Sequence, residues 1–193
     1  DCESHDVPVG AVLQDNFRGG ELAVRHLVER GHERIAWIGP DAADGPLHVV
    51  ERLGGAMVEA ARAGARLDPL VEAPLGVEER ALEISRKLLA LADRPRAIVC
   101  PWLDFTVALP RAARELGLEA GKDFDMVGWC TDEQRESGLL PWFRDAAPPP
   151  TVSWSIARMA EAAVARLKQR RAEPSLAAQT IRVPVRLRAG RGD

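Results

Sequence analysis

Tyrosine is absent from the 193 residues, and cysteine and lysine occur only three times each. Five tryptophans and four phenylalanines therefore supply all aromatic packing and any ring that stacks on a ligand. Cys2, Cys100 and Cys130 are odd in number and widely spaced. That excludes a disulfide framework and a CxxC zinc knuckle, and reduced thiols in a cytoplasmic setting are the expectation. No apolar run approaches the roughly 18 residues that cross a bilayer. No charged-then-apolar leader opens the sequence, so no membrane partner is expected. A net charge of −3 gives no basic footprint for nucleic acid. Arginine outnumbers lysine 23 to 3, and with the abundance of alanine this reads as GC-rich coding rather than an arginine-rich function. Catalytic signatures are missing too: there is no GxSxG elbow, no P-loop and no GxGxxG. The Gly39–Gly45 segment lacks the Lys-Ser/Thr that would make it a phosphate loop. His26 and His32 fall on different faces of a helix and its end, so they are no metal pair. No enzyme activity, cofactor or metal is expected.

What is present is an ordinary globular composition, 46% apolar and 28% charged, in a chain long enough for a full hydrophobic core. Apolar, β-branched runs at Val7–Leu13, Ile35–Ile38, Ala97–Val99 and Phe124–Trp129, with a weaker one at Leu70–Pro74, alternate with helical patterns. Asn16 is placed to cap a helix that carries Phe17, Val24, Leu27 and Val28 and stops at Gly31. A second helix shows Val50, Leu53, Met57 and Ala61 on one face and ends near Gly64. A third has Val77, Ala81, Ile84, Leu88 and Leu91 at alternating +4 and +3 spacing, and a fourth Phe105, Leu109, Ala112 and Leu116. The units advance by about 30 residues, the size of a βα unit. Runs such as Ala97-Ile98-Val99-Cys100 lack polar alternation, as strands buried on both faces should. After an irregular stretch over 130–150, a last helix carries Ile156, Met159, Ala163 and Leu167 on one side. That stripe predicts packing against something beyond its own subdomain. Thr180–Arg188 alternates strictly, with Pro184 marking an edge strand. The expected fold is a three-layer, doubly wound, mostly parallel α/β sheet.

In such sheets ligands sit beyond the carboxyl ends of the strands. Those ends read Gln14-Asp15-Asn16, Gly39-Pro40-Asp41, Leu75-Gly76, Pro101-Trp102-Leu103-Asp104 and Trp129-Cys130-Thr131-Asp132. Carboxylates accept hydrogen bonds from sugar hydroxyls, and an indole face covers the C–H face of a pyranose. The competing reading makes each Asp a helix N-cap. Arg52 stands near the start of a helix beside this rim, where the helix dipole disfavours a structural cation. Its guanidinium fork matches paired hydroxyls or a carboxylate.

The run Asp15-Asn16-Phe-Arg-Gly-Gly-Glu-Leu-Ala-Val-Arg-His-Leu-Val-Glu-Arg-Gly-His-Glu-Arg-Ile-Ala-Trp-Ile-Gly39 resembles the lactose-repressor/galactose-repressor (LacI/GalR) family of bacterial transcription regulators. The same order continues with Glu51-Arg52-Leu53-Gly54-Gly55, Arg94-Pro95-Arg96-Ala97-Ile98-Val99-Cys100, Ala112-Ala113-Arg114-Glu115-Leu116-Gly117-Leu118, Asp125-Met126-Val127-Gly128-Trp129 and the closing Ile181–Leu187. The resemblance covers nearly the whole chain. It implies a periplasmic-binding-protein-like core of type I, in which an effector pocket between two subdomains controls DNA binding allosterically. On that reading residues 1–150 and 174–193 form the C-terminal effector-binding subdomain. Residues 151–173 form a crossover and a helix belonging to an N-terminal subdomain that this sequence lacks, together with a helix-turn-helix.

The resemblance further implies a small-molecule effector, a sugar or a related compound. It implies operator DNA as a partner only through the missing helix-turn-helix, and a homodimer. The alternative is a periplasmic sugar-binding protein of an ABC transporter. Arg52 falls on the effector-anchoring arginine. Trp102 and Leu103 fall on the family's Asn-Asp pair, with Asp104 one residue later. Cys130 replaces the acid after the strand, with Asp132 two residues on. Gly76 stands where an aromatic is common, and Trp102 can supply the missing stacking face. Arg52, Trp102, Asp104, Cys130, Asp132, Asp15 and Asp41 are the expected ligand-binding residues. Lysine at position 52 is expected to weaken binding about ten-fold or more, because charged hydrogen bonds are lost. It is expected to leave the unliganded melting temperature nearly unchanged.

Overall fold

The computed structural model describes residues 10–39, 46–71, 78–137 and 148–190. Among them the strands are β1 (Ala11–Gln14), β2 (Arg34–Gly39), β3 (Arg66–Val71), β4 (Ala97–Val99), β5 (Asp125–Thr131), β6 (Thr151–Trp154), β7 (Thr180–Val183) and β8 (Arg186–Arg188). The helices are α1 (Asn16–Glu29), α2 (Leu47–Ala63), α3 (Glu78–Leu89), α4 (Leu103–Glu115), α5 (Asp132–Glu136) and α6 (Ile156–Ala172). Six strands form one sheet in the order β3-β2-β4-β5-β6-β8, parallel except for β8, which runs antiparallel to β6. β1 and β7 pair in parallel as a separate two-stranded sheet.

Helices cover both faces of the main sheet, as a parallel sheet with no wet side requires. Ala36, Ile38, Ile98, Cys100 and Met126 face α3 and α4, packing on Ala81, Leu82, Leu89, Phe105 and Leu109. The alternate residues Ile35, Trp37, Val99, Val127 and Trp129 face α1 and α2, packing on Val24, Leu27, Ala56 and Ala60. The expected three-layer arrangement is therefore present. α1 and α2 touch backbone to backbone. A Cβ on Gly20 would overlap the Arg52 carbonyl, and one on Gly55 would overlap the Phe17 carbonyl. Only glycine permits that approach, and it carries Arg52 on α2 up to Asn16 on α1.

Several local expectations change. Asp15, not Asn16, caps α1, its carboxylate accepting the Arg18 N–H at 3.1 Å. Asn16 becomes the first residue of the helix and is fully buried. The buried face of α2 is Val49, Arg52, Ala56, Glu59 and Ala60, leaving Val50 and Met57 exposed. The helix is thus rotated from the apolar stripe by its polar partners: Glu59 meets Arg25 and Arg52 meets Asn16. Leu91 and Leu116 lie past the ends of α3 and α4 and are exposed. β3 begins at Arg66, ahead of the expected Leu70. The alternating tail breaks around Pro184 into two strands on different sheets, because proline cannot donate to a ladder.

Thr151–Trp154 is a strand of the main sheet. α6 rests on β1 and β7 and has no buried residue; Ile156 is 52% and Leu167 69% exposed. Of its expected stripe, Met159 and Ala163 are half-buried and Ile156 and Leu167 exposed. Glu133 on α5 anchors its start, accepting the Ile156 and Ala157 N–H groups and the Ser155 hydroxyl.

Candidate functional site

The sheet topology gathers one cluster at the carboxyl ends of β1, β2, β4 and β5, around Arg52. This guanidinium is 3% exposed. Its Nε donates to Asn16 Oδ1 at 2.9 Å and its Nη1 to the Pro101 carbonyl at 2.6 Å. Its central carbon lies 4.5 Å from the Trp102 ring centre and 4.6 Å from that of Trp129, both in cation–π range. His48, one turn earlier on α2, meets Trp102 edge-on at 5.2 Å. Burial, opposed by the nearby Glu51 charge, draws the Arg52 pKa down to about 9. Burial and the positive charge of Arg52 draw His48 down to about 4, so its ring is neutral near pH 7.

Neighbouring groups hold these parts in place. Asn16 uses its amide twice, accepting from Arg52 and donating from Nδ2 to Glu51 at 3.2 Å. The other Glu51 oxygen takes Arg182 of β7 at 2.6 Å, tying the small sheet to α2. Trp129 donates from Nε1 to Gln14 at the end of β1. Buried Thr106 couples the two indoles that flank Arg52: its hydroxyl donates to the Trp102 carbonyl and accepts the Trp129 N–H, each at 2.8 Å.

The expected site residues divide. Arg52 and Trp102 are in the cluster. Asp104, in the first turn of α4, is half-buried and already engaged. Asp15 spends its carboxylate on the α1 cap, the competing reading. Cys130 is buried inside β5, and burial pushes its thiol pKa up. Asp132 is committed elsewhere, accepting from Ser153 at 2.8 Å, Arg186 at 2.7 Å and Arg188 at 3.3 Å. Burial works to raise its pKa, but the Ser153 and Arg186 hydrogen bonds outweigh it and hold the carboxyl below its usual range. Asp41 and Gly76 lie outside the described residues. Arg52 was expected to project toward the rim, with Arg52→Lys leaving the unliganded melting temperature nearly unchanged. It is instead a buried, hydrogen-bonded member of the domain. Of the residues around Arg52, Asn16 and Trp129 were read only as part of the strand-end rim, and Trp37 and His48 were not singled out. The available signal was tryptophan and histidine at the strand ends and at one helical turn from Arg52.

A periplasmic binding protein-like domain family matches residues 24–191. The chain belongs to that family. Among curated relatives, the PurR transcriptional repressor of Mannheimia succiniciproducens is 29% identical over 174 residues, covering 89% of this chain and 49% of the relative. PurR of Photobacterium profundum is 26% identical over 166 residues, covering 84% and 47%. The chain thus spans about half the length of the curated relatives it matches. A LacI family regulator from Enterococcus faecium, solved with bound ribose, superposes with a TM-score of 0.78 at 21% identity, covering 98% of this chain and 66% of that one. The dimeric Lac repressor with an 11-residue C-terminal deletion gives 0.78 at 21% identity, covering 97% and 65%. The resemblance to a LacI-type effector-binding core read from the residues is therefore sound. Both of these curated relatives are transcriptional repressors. Among the described residues no helix is long and apolar enough to cross a membrane, and no cluster of metal-ligating side chains occurs.

Proposed function

We propose that this chain is the effector-binding part of a cytoplasmic LacI/PurR-type transcriptional regulator, which binds a small molecule and does no chemistry on it. The observation that carries this is the Arg52 cluster: a buried cation ringed by indoles at the carboxyl ends of parallel strands, where open α/β sheets bind ligands. In this reading the six-stranded unit is one subdomain. α6 with β1 and β7 forms the rim of a second, which closes over the ligand. Arg182 to Glu51 links the two. A ligand that prefers the closed form shifts that equilibrium and, through it, the affinity of the dimeric regulator for operator DNA. The repressor relatives favour this reading over a binding protein that feeds a transporter.

The test is a thermal-shift screen of the full-length protein against neutral sugars, sugar acids and purines, followed by operator retention with each hit. A saturable stabilisation that Arg52→Lys abolishes, and that changes operator retention, is the expected result. This chain alone should not be retained on operator DNA, since its net charge of −3 supplies no overall phosphate attraction. Turnover of any hit, or ligand binding without effect on operator retention, overturns the proposal.

A further inference from the structure

Among the described residues Arg52 is a buried cation with no ion-pair partner. Both of its hydrogen-bond acceptors, Asn16 Oδ1 and the Pro101 carbonyl, are neutral. Among the described residues no carboxylate comes within ion-pair distance. The nearest, Glu51, is already held by Asn16 and Arg182. Buried charges in folded proteins are otherwise paired, so a buried guanidinium that meets only neutral oxygens and ring faces is short of an anion.

The groups around it are short of the same thing. Trp37 Nε1, Trp102 Nε1 and His48 Nδ1 are buried with no hydrogen-bond partner, and the Trp37 side chain is 1% exposed. The two indole nitrogens converge. A Cβ built on Gly39 would lie 2.9 Å from Trp37 Nε1 and 3.4 Å from Trp102 Nε1. An indole N–H only donates, and neutral His48 can donate from Nδ1. The carboxylates on the rim are committed: Glu51 as above, Asp132 to Ser153, Arg186 and Arg188, and Asp15 to the α1 cap. Asp104 is engaged as well. Hydroxyl donors of a neutral polyol would therefore find no free carboxylate among these residues, whereas a ligand made of acceptors would meet unpaired donors.

We propose that this site takes a small organic acid, its carboxylate set against the free edge of the Arg52 guanidinium and accepting the indole N–H groups of Trp37 and Trp102. The inference rests on the effector-site reading above and narrows it to a ligand class. The engaged parts of the guanidinium leave one direction for the anion. With two indoles against the guanidinium carbon, and Nε and one Nη1 proton already donated, approach remains in the guanidinium plane at the Nη1–Nη2 edge. A carboxylate fits that approach as a two-bond fork; two oxygens of a phosphate can make the same fork, so phosphate is a probe in the test.

The experiment uses the full-length protein and matched pairs that differ only in oxidation at one carbon: D-gluconate with D-glucose, D-ribonate with D-ribose, and D-galacturonate with D-galactose. Hypoxanthine and inorganic phosphate complete the probes. Binding is read by calorimetry and by tryptophan fluorescence, since three of the five tryptophans are in the cluster. The expected result is saturable binding of at least one acid, ten-fold or more tighter than its parent sugar, weakening as salt rises. Trp37→Phe keeps an aromatic ring and removes the pyrrole part with its N–H. It should weaken the acid five-fold or more while the circular dichroism spectrum stays unchanged, which keeps the test open if Arg52→Lys fails to fold. A neutral sugar or hypoxanthine that binds as tightly as every acid, in an Arg52-dependent way, overturns the ligand class and leaves the effector site standing. Phosphate that matches and displaces the acids overturns the carboxylate. Failure of every probe to bind overturns the ligand class, and failure of the broader screen as well overturns the effector site with it.

Discussion

Arg52 shows how one side chain can be structural and functional at once. Lysine at this position keeps a charge but cannot donate to Asn16 and Pro101 together, nor spread over two indoles. Losing two hydrogen bonds from a charged group and leaving the Pro101 carbonyl unpaired should cost the unliganded protein about 1–3 kcal/mol. Chemical denaturation of Arg52→Lys without ligand checks this, and an unchanged midpoint would show that the fold does not depend on the fork. His48 makes a second residue-scale prediction. Its folded pKa of about 4 lies below the unfolded value of 6.5. Between those values the unfolded chain binds a proton that the folded chain refuses, so stability falls as pH drops from about 6.5 to about 4. His48→Phe preserves the ring contact and removes the titration. The difference between variant and parent stability should therefore grow in favour of the variant across that window and be flat above it. Arg52 was legible in the sequence because its position relative to the rim is local. Its burial was not, because that depends on Asn16, Pro101, Trp102 and Trp129 arriving from three other segments.

At the scale of elements, the site is positioned by the contact of α1 with α2. The glycine pairs 19–20 and 54–55 stand in the sequence as helix weakeners, since glycine within a helix costs roughly 1 kcal/mol relative to alanine. Their positions make sense only when the helices are seen to touch: Gly20 against the Arg52 carbonyl and Gly55 against the Phe17 carbonyl. Gly55→Ala should therefore destabilise, by about 1–3 kcal/mol, despite the better helix propensity of alanine. It should also blunt ligand binding, because prising the helices apart moves Arg52 from Asn16. A denaturant titration together with a binding isotherm checks both, and a variant as stable as its parent would show that the helices separate at no cost. The apolar periodicity of α2 misplaced its buried face for a related reason. A face that buries Arg52 and Glu59 is chosen by their partners on α1, and no hydropathy pattern contains that information.

Across the whole molecule, the parallel βα alternation was readable because strands buried on both faces and helices with one apolar stripe are repetitive, local signals. The division of the tail between two sheets was not: Ile181 to Leu187 alternates without a break, and only Pro184 hints that β7 leaves for β1 while β8 joins β6. The same split leaves α6 on the small sheet with no buried residue, exposing Ile156, Val164 and Leu167. Exposed apolar side chains of this kind attract other apolar surface, while adding little to the stability of the chain that carries them. Val164→Glu combined with Leu167→Glu should therefore leave the denaturation midpoint of the 193-residue chain within about 0.5 kcal/mol of its parent. The same pair should reduce binding of an apolar dye and any self-association seen by sedimentation. In the full-length regulator the outcome should reverse. There the proposed second subdomain covers this stripe, and two buried carboxylates without partners should lower the melting temperature clearly. Equal tolerance in both forms would mean that α6 stays bare in the intact protein and that the second subdomain closes without it.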